Sequence, residues 1–92
     1  MSERTVTVAS RVGLHARPAA EFTQAAAATG LAVTISNAAG RSVNAASILG
    51  VLTLGVDQGQ RVTIAAEGEG ADAALDTLAR MLETDLDPHK SL

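Results

Sequence analysis

What most constrains the fold of this 92-residue chain is a change of hydropathy period along it. In TVTV (5–8), LAVTIS (31–36) and RVTIAA (61–66), apolar residues recur at every second position. That alternation places Val6 and Val8, then Leu31, Val33 and Ile35, then Val62 and Ile64, on one side of half-buried strands. In PAAEFTQAAAA (18–28), Ala19, Phe22 and Ala26 fall instead on one helical face. From Ala71 to about Glu83, a stripe of Ala71, Ala74, Leu75, Leu78 and Leu82 has the same helical spacing. Glu21 in the first turn of the earlier helix, and Asp72 and Arg80 at the two ends of the later one, suit the helix dipole. Gly30 marks the earlier helix's C-terminal stop.

Between these segments, NAAG (37–40) is turn chemistry and RSVN (41–44) reads as a short returning strand. Ser47 opens a short helix, SILGVLTLG, closing near Gly55; DQGQ (57–60) is another turn and EGEG (67–70) a loop. The predicted order is strand, helix, strand, strand, helix, strand, helix. Half-apolar strands joined to amphipathic helices predict an α+β fold, one sheet with helices on a single face. The length suits one domain, 1–92, with about 86–92 as a frayed tail.

Composition narrows the function. One Phe and no Trp or Tyr leave the core to Val, Ile, Leu and Ala, and leave no stacking platform for single-stranded nucleic acid. A net charge of −3 without a basic run argues against duplex binding. The acids gather late, at Glu67, Glu69, Asp72, Asp76, Glu83, Asp85 and Asp87. Before Val56, Arg4, Arg11, Arg17 and Arg41 stand against Glu3 and Glu21, so the front half suits an acidic partner surface. No cysteine means no disulfide and no thiol catalysis. MSERTVTV lacks a signal-peptide core, and no apolar run approaches the roughly 20 residues of a membrane span. A soluble cytoplasmic protein, without membrane insertion, is the expectation.

One stretch carries chemistry: GLHARPAA (13–20). Pro18 favours the first turn of a helix, where its missing N–H would have no intrahelical partner anyway. None of Leu14, His15, Ala16 and Arg17 is a usual capping residue, so the first N–H groups are left to water or an anion. The unperturbed imidazole pKa of about 6.5 leaves His15 largely neutral near pH 7, with a nucleophilic ring nitrogen. A phosphoryl group on that nitrogen would sit beside a positive helix end, with Arg17 within reach. The helix end offers roughly 0.3–2 kcal/mol and a charge-assisted hydrogen bond roughly 1.5–3 kcal/mol. Both are small beside the energy of phosphoryl transfer, so the group would be steadied yet remain mobile. The plain alternative is a solvated, unreactive histidine. A metal site is not expected, because no second His, Asp or Glu lies near His15 and three or four ligands are needed; no cofactor is expected either.

GLHARPAAEF (13–22), SVNAASILGVLTLG (42–55) and QGQRVTIAAEG (58–68), in this order, closely resemble the HPr family of histidine-containing phosphocarriers of the bacterial sugar phosphotransferase system. The resemblance covers nearly the whole chain. It implies an open-faced β-sandwich of four antiparallel strands covered on one face by three helices. It also implies a phosphoryl carrier rather than a free-standing enzyme. Enzyme I, charged by phosphoenolpyruvate, would phosphorylate His15 on Nδ1, and the group would pass to an enzyme IIA domain of a sugar permease. Arg17 would assist the phosphoryl group, and Ala16 and Pro18 would form the helix start supporting it.

Ser47 reads first as the cap of the short helix. By the resemblance it also matches a serine phosphorylated by a dedicated kinase in some bacteria, although Ala46 stands where regulated relatives often carry Lys. SILGVLTL is too apolar for a short helix to bury every face, so some of Ile48, Leu49, Val51 and Leu52 must show, and core packing is the simpler reading for Ile48 and Val51. The resemblance places Ala16, Arg17, Ala20, Ile48, Leu49 and Leu52 around the partner-binding face. A monomer suits a protein presenting one face to successive partners. Two other readings stand beside the carrier: a regulatory module whose Ser47 face binds a transcription regulator or an enzyme, and a carrier in a nitrogen-related phosphotransferase branch.

Overall fold

The computed structural model describes residues 2–8, 16–56 and 59–83, with only the backbone described at 16–18. It contains β1 (Ser2–Thr7), α1 (Ala16–Ala28), β2 (Thr34–Asn37), β3 (Ser42–Asn44), α2 (Ile48–Thr53), β4 (Arg61–Ala66) and α3 (Ala71–Glu83). The strands form one antiparallel sheet in the order β1-β4-β2-β3. This is the expected α+β open-faced sandwich.

Register explains the two faces. Val6 lies opposite Val62, and Ile35 opposite both Ile64 and Val43. Opposed residues share a face and successive residues alternate. Val6, Ile35, Val43, Val62 and Ile64 therefore line one side, which the helices cover. Thr5, Thr63, Ser36 and Ser42 line up across the other side, where the Thr5 and Thr63 hydroxyls are 3.0 Å apart. The core joins the apolar sheet face to Ala19, Phe22 and Ala26 of α1, Val51 of α2, and Leu75, Leu78 and Leu82 of α3.

α3 spans the predicted residues, with Asp72 in its first turn and Arg80 in its last. Ala79 is buried with Ala71, Leu75, Leu78 and Leu82, whereas Ala74 is only half-buried. Gly30 ends α1 with φ 73°, a conformation that costs a residue without Cβ little. The 86–92 tail lies outside the described residues.

Three expectations are corrected. α1 begins at Ala16, two residues before Pro18. Proline is tolerated anywhere in the first turn, because none of those N–H groups has an intrahelical acceptor; Pro18 therefore did not fix the boundary. Glu21 consequently lies beyond the first turn, which holds no acidic residue. β1 starts at Ser2 and ends at Thr7. Val8 is past the strand but still buried, and it is pinned by Val8 N–H to Gln60 O and Gly59 N–H to Val8 O, both 2.9 Å.

The alternation hides the start of β1, because its inward position 4 is not apolar. Arg4 lies opposite Ile64 and reaches over to α3, with Nε 3.0 Å from Asp76 and Nη2 3.5 Å from Asp72. Those carboxylates raise the Arg4 pKa, the hydrogen bond to Asp76 contributing most. The Ser2 hydroxyl beside Asp72, and then Arg4, hold the Asp72 carboxyl below its ordinary range.

Candidate functional site

His15 lies outside the described residues, as do Gly13 and Leu14; the side chains of Ala16, Arg17 and Pro18 are not described. What the structure does describe is the frame at both ends of that segment. The chain enters it from Val8, bonded to Gly59 and Gln60 where β4 begins. It leaves at Ala16, the first residue of α1, so His15 immediately precedes the helix in the chain. Ala19, Phe22 and Ala26 are fully buried and fix α1 to the core.

The direction of α1 follows from its neighbours. Ala25, Ala28 and Thr29 border a hollow with Ala73, Ala74 and Thr77 of the first half of α3. A Cβ added at Gly68 would meet Leu31 Cδ2 at 3.4 Å. The C-terminal half of α1 is therefore at the end of the sheet where β4 finishes, and its first turn at the end where Thr7 pairs with Arg61. By helix geometry, the N–H groups of Ala16 and Arg17 have no intrahelical acceptor, while Pro18 has none to offer.

α2 packs on α1 and against β3. Ser47 is its N-cap in extended conformation (φ −99°, ψ 111°), and its Oγ accepts the Gly50 N–H at 3.1 Å. The capping reading of Ser47 thus holds. Sequence reasoning missed Asn44, whose Oδ1 accepts the Ala46 N–H at 2.9 Å and whose carbonyl accepts the Ser47 N–H at 3.0 Å. Asn37, read as the start of a turn, accepts the Arg41 N–H on Oδ1, but its Nδ2 also donates to Leu54 O at 3.4 Å, a long-range bond the sequence did not show. Asn at the edge of a turn is the available signal, since its side chain mimics a backbone turn.

The apolar residues of α2 divide as its length requires. Val51 is fully buried, Leu52 is half-buried against the core, and Ile48 and Leu49 are 40% and 73% exposed. Ala20 on α1 is half-buried. The packing of α1 on α2 makes neighbours of the elements that carry Ala20 and Ile48, Leu49 and Leu52. Among the described residues, no group of three or more His, Cys, Asp or Glu side chains is arranged to hold a metal ion. No helix among them is long and apolar enough to cross a membrane.

A sequence model described as the HPr component phosphorylation site of the PTS matches residues 2–84. The phosphocarrier protein HPr of Streptomyces coelicolor is 51% identical over 87 residues, covering 95% of this chain and 94% of that protein. The phosphocarrier protein HPr of Haloferax volcanii is 46% identical over 83 residues, covering 89% and 93%. The crystal structure of a phosphocarrier protein HPr from Bacillus anthracis superposes with a TM-score of 0.84 at 38% identity, covering 88% of this chain and 95% of that one.

Proposed function

The chain belongs to the HPr family of phosphocarriers, and from that membership we propose that it accepts a phosphoryl group from enzyme I on His15 and passes it to enzyme IIA domains. The observation that carries this reading is the coincidence of GLHARPAAEF with the start of α1, within a family model defined by its phosphorylation site.

In the transfer step, the lone pair of the neutral His15 imidazole attacks phosphorus. The bond from phosphorus to the donor's leaving atom breaks, and its electron pair stays with the donor. Phosphoryl transfer asks mainly for positioning and charge compensation. The compensation comes from the free N–H groups of Ala16 and Arg17, the positive end of a 13-residue helix and the Arg17 guanidinium. Pro18 donates nothing, so the cradle has few donors and the group leaves readily. Ala20, Ile48, Leu49 and Leu52 form the docking face, to which the exposed isoleucine and leucine are suited. The protein works as a cytoplasmic monomer, and Ser47 is held as a cap whether or not a kinase uses it.

Incubation with enzyme I and labelled phosphoenolpyruvate should give an acid-labile, base-stable label. His15→Ala should abolish it, and Arg17→Ala should slow transfer while leaving the unfolding midpoint in place. Label persisting in His15→Ala would refute the assignment.

A further inference from the structure

β1 is an edge strand: it pairs with β4 on one side and, among the described residues, has no strand on the other. In an antiparallel pair, successive residues turn both backbone groups toward the partner strand, then both away from it. Val8 turns both toward β4, bonded to Gln60 O and Gly59 N–H, so Val6, Arg4 and Ser2 do the same. The N–H and C=O groups of Glu3, Thr5 and Thr7 therefore point out from the free edge, and all three residues are exposed. Such a row is a template for another strand. A second copy of β1, laid antiparallel about a two-fold axis at Thr5, fits it. Thr5 then meets its own counterpart, Glu3 meets Thr7 of the second copy, and each of these pairs exchanges both its hydrogen bonds. The same register puts Arg4 opposite Val6 of the second copy on the helix-covered side.

The charges on α3 complement that arrangement. Asp72, Asp76, Arg80 and Glu83 recur at helical spacing along one stripe. Arg4, Thr5, Val6, Asp76, Arg80 and Glu83 line one groove between this stripe and β1. Asp72 and Asp76 hold Arg4, whereas Arg80 is exposed and in no ion pair with a described residue. A two-fold axis reverses one stripe against the other, so the acidic half of each α3 meets Arg80 of the second copy. α3 packs on both β1 and β4, which sets the two helices about two strand spacings, roughly 10 Å, apart, an ordinary helix-packing distance. One residue stands in the way. Arg4 Nη1 donates to Glu3 O, an outward acceptor, at 2.8 Å, and the same guanidinium is fixed to α3 by Asp76 and Asp72. It occupies the acceptor that the Thr7 N–H of a second copy needs, and it holds a charge where pairing would strip water from it.

We propose that the free edge of β1 is a latent self-pairing surface, shaped for a second copy of this chain, and that Arg4 keeps it shut. Inward-pointing charges are among the devices that protect sheet edges. The surface is separate from α2 and from the start of α1, so it stands whether or not His15 carries a phosphoryl group.

The test uses the full chain. Arg4→Val frees Glu3 O, removes the charge and completes the apolar alternation of β1. Sedimentation equilibrium over a concentration series should show self-association at least about ten-fold stronger in Arg4→Val than in the wild type, stopping at the dimer. In that dimer, amide exchange should slow at Glu3, Thr5 and Thr7, while Val6, already bonded to β4, changes little. Thr5→Pro added to Arg4→Val removes an outward N–H that β4 does not use, so it should abolish the dimer and leave the β1–β4 pair intact. Arg4→Thr, smaller and also uncharged, repeats the measurement should Arg4→Val not fold, and it should dimerise in the same way. Variants as monomeric as the wild type across the series overturn the proposal. So does association that continues past the dimer. A dimer that survives Thr5→Pro, or that lacks the alternating protection, overturns it too, because the contact is then an exchange of β1 between copies or lies elsewhere on the surface.

Discussion

Leu49 and Val51 sit two residues apart on one short helix and do opposite things. A helix advances about 100° per residue, so positions two apart face away from one another. Val51 is fully buried, and Leu49 is 73% exposed. Val51→Ala removes two buried methyl groups and leaves a void, which costs about 2 kcal/mol. Leu49→Ser removes surface that folding does not use and should stay within about 0.5 kcal/mol of the wild type. If Leu49 belongs to the docking face, Leu49→Ser weakens association with enzyme I while leaving the urea midpoint unmoved. A midpoint shift for Leu49→Ser as large as that for Val51→Ala would remove it from the surface altogether. This division was half legible. The sequence showed that SILGVLTL has more apolar residues than a short helix can hide; which of them faces α1 depends on where Ser47 fixes the helix start.

At the scale of elements, the clasp between β1 and α3 is the least expected feature, because it occupies a position where alternation calls for an apolar residue. Arg4 lies on the helix-covered side of an edge strand and escapes burial by reaching the carboxylates of Asp72 and Asp76. Asp72 is held below its ordinary range by the Ser2 hydroxyl and then by Arg4. A depressed carboxylate stabilises the fold at pH values above its unfolded pKa, and that stability is lost as pH falls through the lower folded value. Asp72→Asn should therefore be less stable than the wild type near neutral pH, and the two should converge as pH falls below the ordinary value of 3.8. Urea unfolding of both proteins from about pH 6 to about pH 2 measures that convergence. A wild-type advantage that grew as the pH fell would reverse the sign and contradict the clasp. The span of α3 was legible, since four of its stripe residues and both charged ends agree, but Ala79 rather than Ala74 completes the buried face. The start of β1 was not, because a long-range ion pair substitutes for the apolar alternation that announces a strand. The start of α1 was misplaced for a local reason, proline being as acceptable at the third helical position as at the first.

Over the whole molecule, sheet order was the property furthest from view. Alternation assigns each strand a face but says nothing of its neighbours, and β1 pairs with β4 across most of the chain length while β3 closes the other edge. The candidate site shows the same limit. The motif, the helix and the Ser47 cap could be read from local chemistry, whereas placing the first turn of α1 at the end of the sheet where Thr7 pairs with Arg61 required the register. That connectivity also governs how the protein comes apart. Val6, Phe22, Ile35, Val51, Ile64 and Leu78 come from six different elements and lie in one buried cluster, with Val43 of β3 packed against it. No element has a private core, so the chain should unfold as one domain in a single step. Far-UV circular dichroism and amide NMR intensities should give coincident urea transitions, and Phe22→Leu should move both by the same amount. Early loss of α1 and α2 signals, with the β1–β4 pair still protected, would instead mean that the helical layer and the sheet are separable units.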